Sequence, residues 1–183
     1  MTTTRNLITA EELFAMGDRY PNVELIDGEL REGTPAGWEH GERTLGVGSL
    51  VWSFVRERGL GRVAVGDPGI VLRRGPDLVR APDVAFIGTE RLPSDRPITG
   101  YSEVIPDFVV EVVSPGDRAG EIEQKVAQWL EAGVRLVWVV YPATRHVVAY
   151  CELAHPRVYT DAETIDGEPV LPGFARPVAE IFA

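Results

Sequence analysis

Phe108-Val109-Val110-Glu111-Val112-Val113-Ser114-Pro115-Gly116 is the stretch whose reading decides the fold. A run apolar at every position but one reads as a strand covered on both faces, as inside a sheet with a layer on each side. Ser114-Pro115-Gly116 stops it. Residues 119 to 132 then carry Ile122, Val126, Trp129 and Leu130 at helical spacing, and Gly133 closes that helix. Leu136 to Val140 is a second buried strand, and His146 to Cys151 pairs with it as a hairpin after a turn at Pro142. Strand, helix, strand, with hairpins to either side, is a mixed α/β core around a central sheet.

The upstream half fits that core. Thr9-Ala10-Glu11-Glu12 reads as a capping box opening a short helix that ends near Gly17. Val23 to Ile26 and Glu29 to Arg31 flank Asp27-Gly28, a strong hairpin signal. Residues 38 to 58 read as a long helix with Leu45, Leu50, Val51, Phe54 and Val55 on its apolar face and Gly59 at its end. Gly46 and Gly48 weaken that helix or mark a close contact. Arg62 to Val65, Gly69 to Leu72 and Val84 to Ile87 are strand-like; Gly88 to Ser102 is a loop. The tail continues in β-like pieces and ends in a short helix over Val178 to Phe182. The expected architecture is α/β (α+β), one domain over residues 1–183, its mixed central sheet flanked by helices and preceded by an N-terminal helix and β-hairpin.

Composition bounds the chemistry. Cys151 is alone, so a cysteine-rich zinc site is excluded, and His40, His146 and His155 are too scattered for a histidine motif. A metal here would be a hard one held by carboxylates. No apolar run is long enough to span a bilayer, and no apolar segment follows Met1–Arg5, so a cytoplasmic location is the default expectation. A net charge of −10 argues against a general nucleic-acid binder. A local basic groove drawn from Arg56, Arg58, Arg62, Arg73, Arg74 and Arg80 would offset that; solvated loops and helix ends are the plainer reading of the same residues.

Two acids interrupt apolar strands. Glu111 sits inside the opening stretch, and Asp83 sits in Ala81-Pro82-Asp83-Val84-Ala85-Phe86. A carboxylate buried without a partner costs several kcal/mol, so each needs a cation, a hydrogen-bond donor or a metal. For Glu111 the plain alternative is a buried ion pair with an arginine; for Asp83 it is the start of a strand or turn. Two acids from neighbouring strands suit Mg²⁺, which takes one or two carboxylates plus waters. Lys125 is the only lysine among eighteen basic residues, and it follows on the next helix. It reads either as a surface partner of Glu121 one turn back or as a point charge returned over the strand end. In the second case Asp83, Glu111 and Lys125 form a set suited to phosphodiester hydrolysis.

Pro82-Asp83 followed by Glu111-Val112-Val113 resembles the PD-(D/E)XK nuclease superfamily, with one departure. The superfamily's usual lysine place is held by Val113, and Lys125, fourteen residues after Glu111, would be a migrated lysine. That arrangement is similar to the Uma-type family of restriction endonucleases. Val23 to Glu29, Glu39-His40-Gly41, Glu111 to Pro115 and Gly133 through Pro142 resemble further parts of that family, so the resemblance covers nearly the whole chain.

The resemblance implies a metal-dependent endonuclease acting on nucleic acid, DNA foremost. Asp83 and Glu111 would bind Mg²⁺ or Mn²⁺, with the backbone carbonyl of Val112 as a further ligand. Lys125 would orient the attacking water or offset phosphoryl charge. Glu29 would add a catalytic carboxylate, or be a solvated hairpin acid. His40 and Arg118 are candidate substrate contacts; a helix cap or surface role is the plainer reading of each. Glu121 would tune Lys125, and Asp117 would border the site or cap the helix. Exposed apolar strands and the tryptophans point to a homodimer, and no membrane is implied. The alternative from another class is an inactive nuclease scaffold serving binding or assembly; a hydrolase of other phosphoesters is the third reading.

Overall fold

The computed structural model describes residues 7–17, 23–93 and 95–183; the Met1–Arg5 segment considered above lies outside them. α1 (Ala10–Met16) begins with the expected capping box: Thr9 accepts the Glu12 N–H, and the Glu12 carboxylate accepts the Thr9 N–H. β1 (Val23–Ile26) and β2 (Glu29–Glu32) follow as an antiparallel hairpin. Asp27 and Gly28 both have positive φ, 54° and 77°, the geometry that matches a two-residue turn to the twist of its strands. α2 (Trp38–Arg58) is a 21-residue helix, and β3 (Gly61–Val65) turns back from it.

β4 (Ile70–Arg73), β5 (Leu78–Arg80), β6 (Val84–Gly88) and β7 (Phe108–Val112) come next. α3 (Ala119–Ala132) links β7 to β8 (Leu136–Tyr141). β9 (His146–Tyr150), β10 (Arg157–Thr160), β11 (Thr164–Gly167), β12 (Leu171–Pro177) and α4 (Val178–Ile181) complete the chain.

Six strands form the central sheet in the order β10-β9-β8-β7-β6-β3. Only β7 and β8 run parallel among its described pairs, and α3 is the crossover that joins them. Helices cover both faces, so the expected central mixed sheet flanked by helices is what the chain builds. Side-chain alternation on β7 sorts the core. Phe108, Val110 and Val112 meet Val47, Val51 and Phe54 of α2. Val109 meets Val126 and Trp129 of α3 on the other side. Glu111 shares the α3 face by the same alternation, which is why it had to find polar partners there.

Two features depart from the sequence reading. β5 was not anticipated; it pairs with β1 and β4, so the N-terminal hairpin belongs to a second sheet of order β2-β1-β5-β4, which packs against α1. Leu45 does not belong to the apolar face of α2. The buried face runs through Thr44, Val47, Gly48, Val51, Phe54 and Val55, and Leu45 is 68% exposed on the opposite side.

Candidate active site

β6 and β7 are antiparallel, so the start of β6 and the end of β7 meet at one end of the sheet. Their ladder stops at Val84 and Val110, leaving the Val112 N–H without a strand partner. Asp83 supplies one: its Oδ2 accepts the Val112 N–H at 2.6 Å. The other oxygen, Oδ1, lies 2.6 Å from His40 Nε2 and 3.5 Å from Thr44 Oγ1, both on α2. An ionised carboxylate can only accept, so the ring presents Nε2–H to it. His40 Nδ1 meets Ser114 Oγ at 3.0 Å. Ser114, His40 and Asp83 thus form one hydrogen-bonded chain from the turn after β7 to the start of β6.

Glu111 is buried beside them. Its Oε1 accepts the Trp129 indole N–H at 2.8 Å, and its Oε2 takes Lys125 Nζ at 3.3 Å. Lys125 also reaches Glu24 Oε1 at 3.4 Å. Glu24 in turn holds Arg80, whose Nε donates to Gln128 Oε1 at 2.7 Å. Lys125 is therefore wedged between an acid of the large sheet and an acid of the small one. Its ion pairs go to Glu111 and Glu24, not back to Glu121.

The charge balance is lopsided. Burial raises the Glu111 carboxyl to about 7; Lys125 opposes the shift, while Asp83 and Glu24 add to it. Asp67, in the loop between β3 and β4, is raised by burial and then by Asp83. Gly66 N–H, one residue earlier, donates to the Asp83 carbonyl at 3.3 Å, which fixes that loop at the site. Asp67 holds a left-handed backbone, φ 57°, uncommon away from glycine and frequent at functional positions. Burial works against the Lys125 ammonium, but Glu111 and Glu24 outweigh it and its pKa rises. The His40 pKa is raised too, chiefly by its hydrogen bond to Asp83.

Asp83, Glu111, Val112, Lys125 and His40 thus meet at one strand end. Glu29 and Arg118 stand differently. Glu29 is on β2 opposite Ile26, one strand farther out than the hairpin acid that touches the lysine, Glu24. Arg118 is exposed at the N-terminal cap of α3, and Asp117 beside it ties the turn by accepting the Ser114 N–H at 2.8 Å. The six arginines weighed as a groove do not form one surface. Arg73 pairs with Asp27, Arg74 with Glu11, Asp77 and Glu103, and Arg80 is buried on Glu24. Arg56 lies sixteen residues along α2 from His40, about 24 Å at 1.5 Å per residue. An open cavity of about 510 Å³ between α1, β4 and the 92–104 segment borders none of the site carboxylates.

Residues that sequence reasoning missed are Glu24, Asp67, Thr44, Trp129 as a donor, and Ser114. Among the described residues no three of His, Cys, Asp and Glu converge closely enough to cage a metal unaided. No described helix is long and apolar enough to cross a membrane.

Residues 10–179 match the Uma2 family, described as "Putative restriction endonuclease". The chain belongs to the Uma2 family. A crystal structure described as a putative nuclease from Anabaena variabilis superposes on this Uma2-family chain with a TM-score of 0.82. It is 17% identical, and the match covers 96% of this chain and 97% of that one, which speaks for the fold alone. No curated protein matches the sequence. Uma2 membership, by the description of that family, supports a nuclease.

Proposed function

We propose that the chain is a divalent-metal-dependent endonuclease that hydrolyses phosphodiester bonds of DNA, with Mg²⁺ or Mn²⁺ held by Asp83, Glu111 and the carbonyl of Val112. The charge imbalance at the strand end carries this reading. Four carboxylates, Glu24, Asp67, Asp83 and Glu111, face two fixed cations, Lys125 and Arg80. Burial is the main reason the Glu111 carboxyl is raised to about 7, and Asp83 and Glu24 add to it against Lys125. A hard dication would relieve the imbalance, and the oxygen donors fit one: magnesium needs only one or two carboxylates, with waters completing its shell. The Val112 peptide, beyond the end of the β6–β7 ladder, adds a carbonyl at the same place.

A bound dication supplies a Lewis acid and a lowered water pKa. The chain's own residues do the rest. Val112 N–H and His40 hold the Asp83 carboxylate in place from two sides. The Trp129 N–H fixes one oxygen of Glu111. The Lys125 ammonium, kept charged by Glu111 and Glu24, is placed to offset negative charge on a phosphoryl oxygen.

The Glu111 shift makes metal binding pH-dependent. Its carboxyl binds a proton more tightly than an ordinary glutamate, so the ligating form is lost as pH falls through about 7. Magnesium affinity, followed by calorimetric titration, is expected to be flat above that pH and to weaken about tenfold per pH unit below it, as proton and metal compete for one group. A flat profile between pH 5 and 8 would remove Glu111 from the ligand set.

Cleavage of plasmid, single-stranded DNA and RNA with Mg²⁺ or Mn²⁺, wild type against Glu111→Ala, tests the whole reading. Metal-dependent cutting that disappears in the variant is the expected result. Equal traces in both would sink it and leave a nuclease-fold protein that binds or assembles without cutting.

A further inference from the structure

α2 presents apolar side chains to solvent at seven-residue spacing: Trp38 is 85% exposed, Leu45 68% and Trp52 45%. A residue every seven along a helix drifts only ~20° per step, so the three form one stripe along roughly 21 Å of surface. This stripe is opposite the face that packs on the sheet. Among the described residues its one ring contact is internal to the helix, Arg56 over Trp52 at 4.8 Å, and large exposed tryptophans at regular spacing mark an interaction surface.

We infer that this stripe is the contact face of a homodimer in which two α2 helices cross antiparallel about Ser49. The helix is complementary to itself. Glu42 and Arg56 are exposed on the stripe, each seven residues from Ser49 and opposite in charge. An antiparallel copy sets Glu42 of each chain against Arg56 of the other; a parallel copy sets like charges together.

Shape gives a second, independent match. Trp38 is eleven residues before Ser49, and Leu60 is eleven after it. A cleft of about 340 Å³ lies at that far end, lined by Trp52, Arg56, Gly59, Arg62 and Val63. The exposed indole of one chain therefore falls on the open cleft of the other, twice over, as a two-fold contact requires. Between these ends Ser49 faces itself, Leu45 meets Ser53 and Trp52 meets Gly46, so each large side chain is set against a small one and the helices can approach. Tryptophan and arginine in a recess are the residue types that carry most binding energy at interfaces.

Sedimentation equilibrium of the full chain at micromolar concentrations is the test, with circular dichroism as the check on folding. Wild type is expected at twice the 20.1 kDa chain mass. Leu45→Glu is expected at the single-chain mass with an unchanged spectrum, since Leu45 contributes nothing to the core. Glu42→Arg is expected to weaken the dimer about tenfold, or ~1.4 kcal/mol. Adding Arg56→Glu to it is expected to restore most of that loss. A monomeric wild type, or a dimer indifferent to Leu45→Glu, overturns the inference; absence of rescue by the double variant overturns the antiparallel register. Mass is read without any cleavage assay, so this result and the fate of the nuclease reading are separable.

Discussion

Asp83→Asn is expected to fold as wild type does and to lose metal-dependent cleavage by about a thousandfold or more, the scale of a lost charge-stabilising contact worth ~4 kcal/mol. The two halves of that expectation come from different atoms. The Asn amide oxygen can still accept the Val112 N–H, so the peptide beyond the β6–β7 ladder keeps its partner. The negative charge that a dication requires is gone. Asp83→Ala separates the effects: it leaves the buried Val112 N–H unpaired, a cost of about 1–3 kcal/mol, and releases His40. A chain of this size should then melt about 5 °C lower. Thermal melts and single-turnover cleavage of both variants read the two effects apart. An Asp83→Asn enzyme keeping a tenth of wild-type activity would remove Asp83 from the metal.

Lys125→Arg should cost about a hundredfold in cleavage at saturating metal, within the range seen when one preorganised cationic or hydrogen-bonding group is lost. The ammonium is a compact charge set 3.3 Å from Glu111 and 3.4 Å from Glu24. A guanidinium is a planar fork that prefers to grip one carboxylate with two parallel bonds. Placed here it would engage one of the two acids more fully and lose its aim at the phosphoryl group. Charge is unchanged, so stability should move little, and Lys125→Met should be the more damaging of the two in both respects. Wild-type turnover by Lys125→Arg would reduce the lysine to a structural tie between the sheets.

The parts of this fold legible in the sequence are those whose signal is local and continuous. β7 could be read because a strand buried on both faces is apolar at nearly every position, and α3 because its buried residues recur at helical spacing. The same continuity exposed Glu111 as an anomaly. β5 was hidden because it has three residues between Pro76-Asp77 and Ala81-Pro82, and its partner β1 lies about fifty positions earlier. Leu45 misled because α2 carries two apolar stripes, one inward and one outward, and a spacing argument cannot say which one meets the sheet. The same limit applied at the site. Glu24 alternates with Val23 and Leu25 as any solvated hairpin acid would; only its contact with Lys125, a hundred residues later, gives it a role. Asp67 sits in Gly66-Asp67-Pro68-Gly69, which reads as a plain turn, and no local pattern announces that this turn abuts Asp83.

The solitary lysine has a consequence for the chemistry of the whole chain. Seventeen arginines take the remaining basic positions, so Lys125 is the one ε-amine among 183 residues. Apart from the α-amine, an acylating reagent has a single amine to find, and that amine is in the middle of the candidate site. Because Glu24 and Glu111 hold the amine protonated, it would react slowly and only at alkaline pH. Once acylated, it would leave the two acids facing each other across a neutral amide. Lysine modification, ordinarily a scattershot labelling of a protein surface, would here act as a site-directed inactivator, one side chain per molecule.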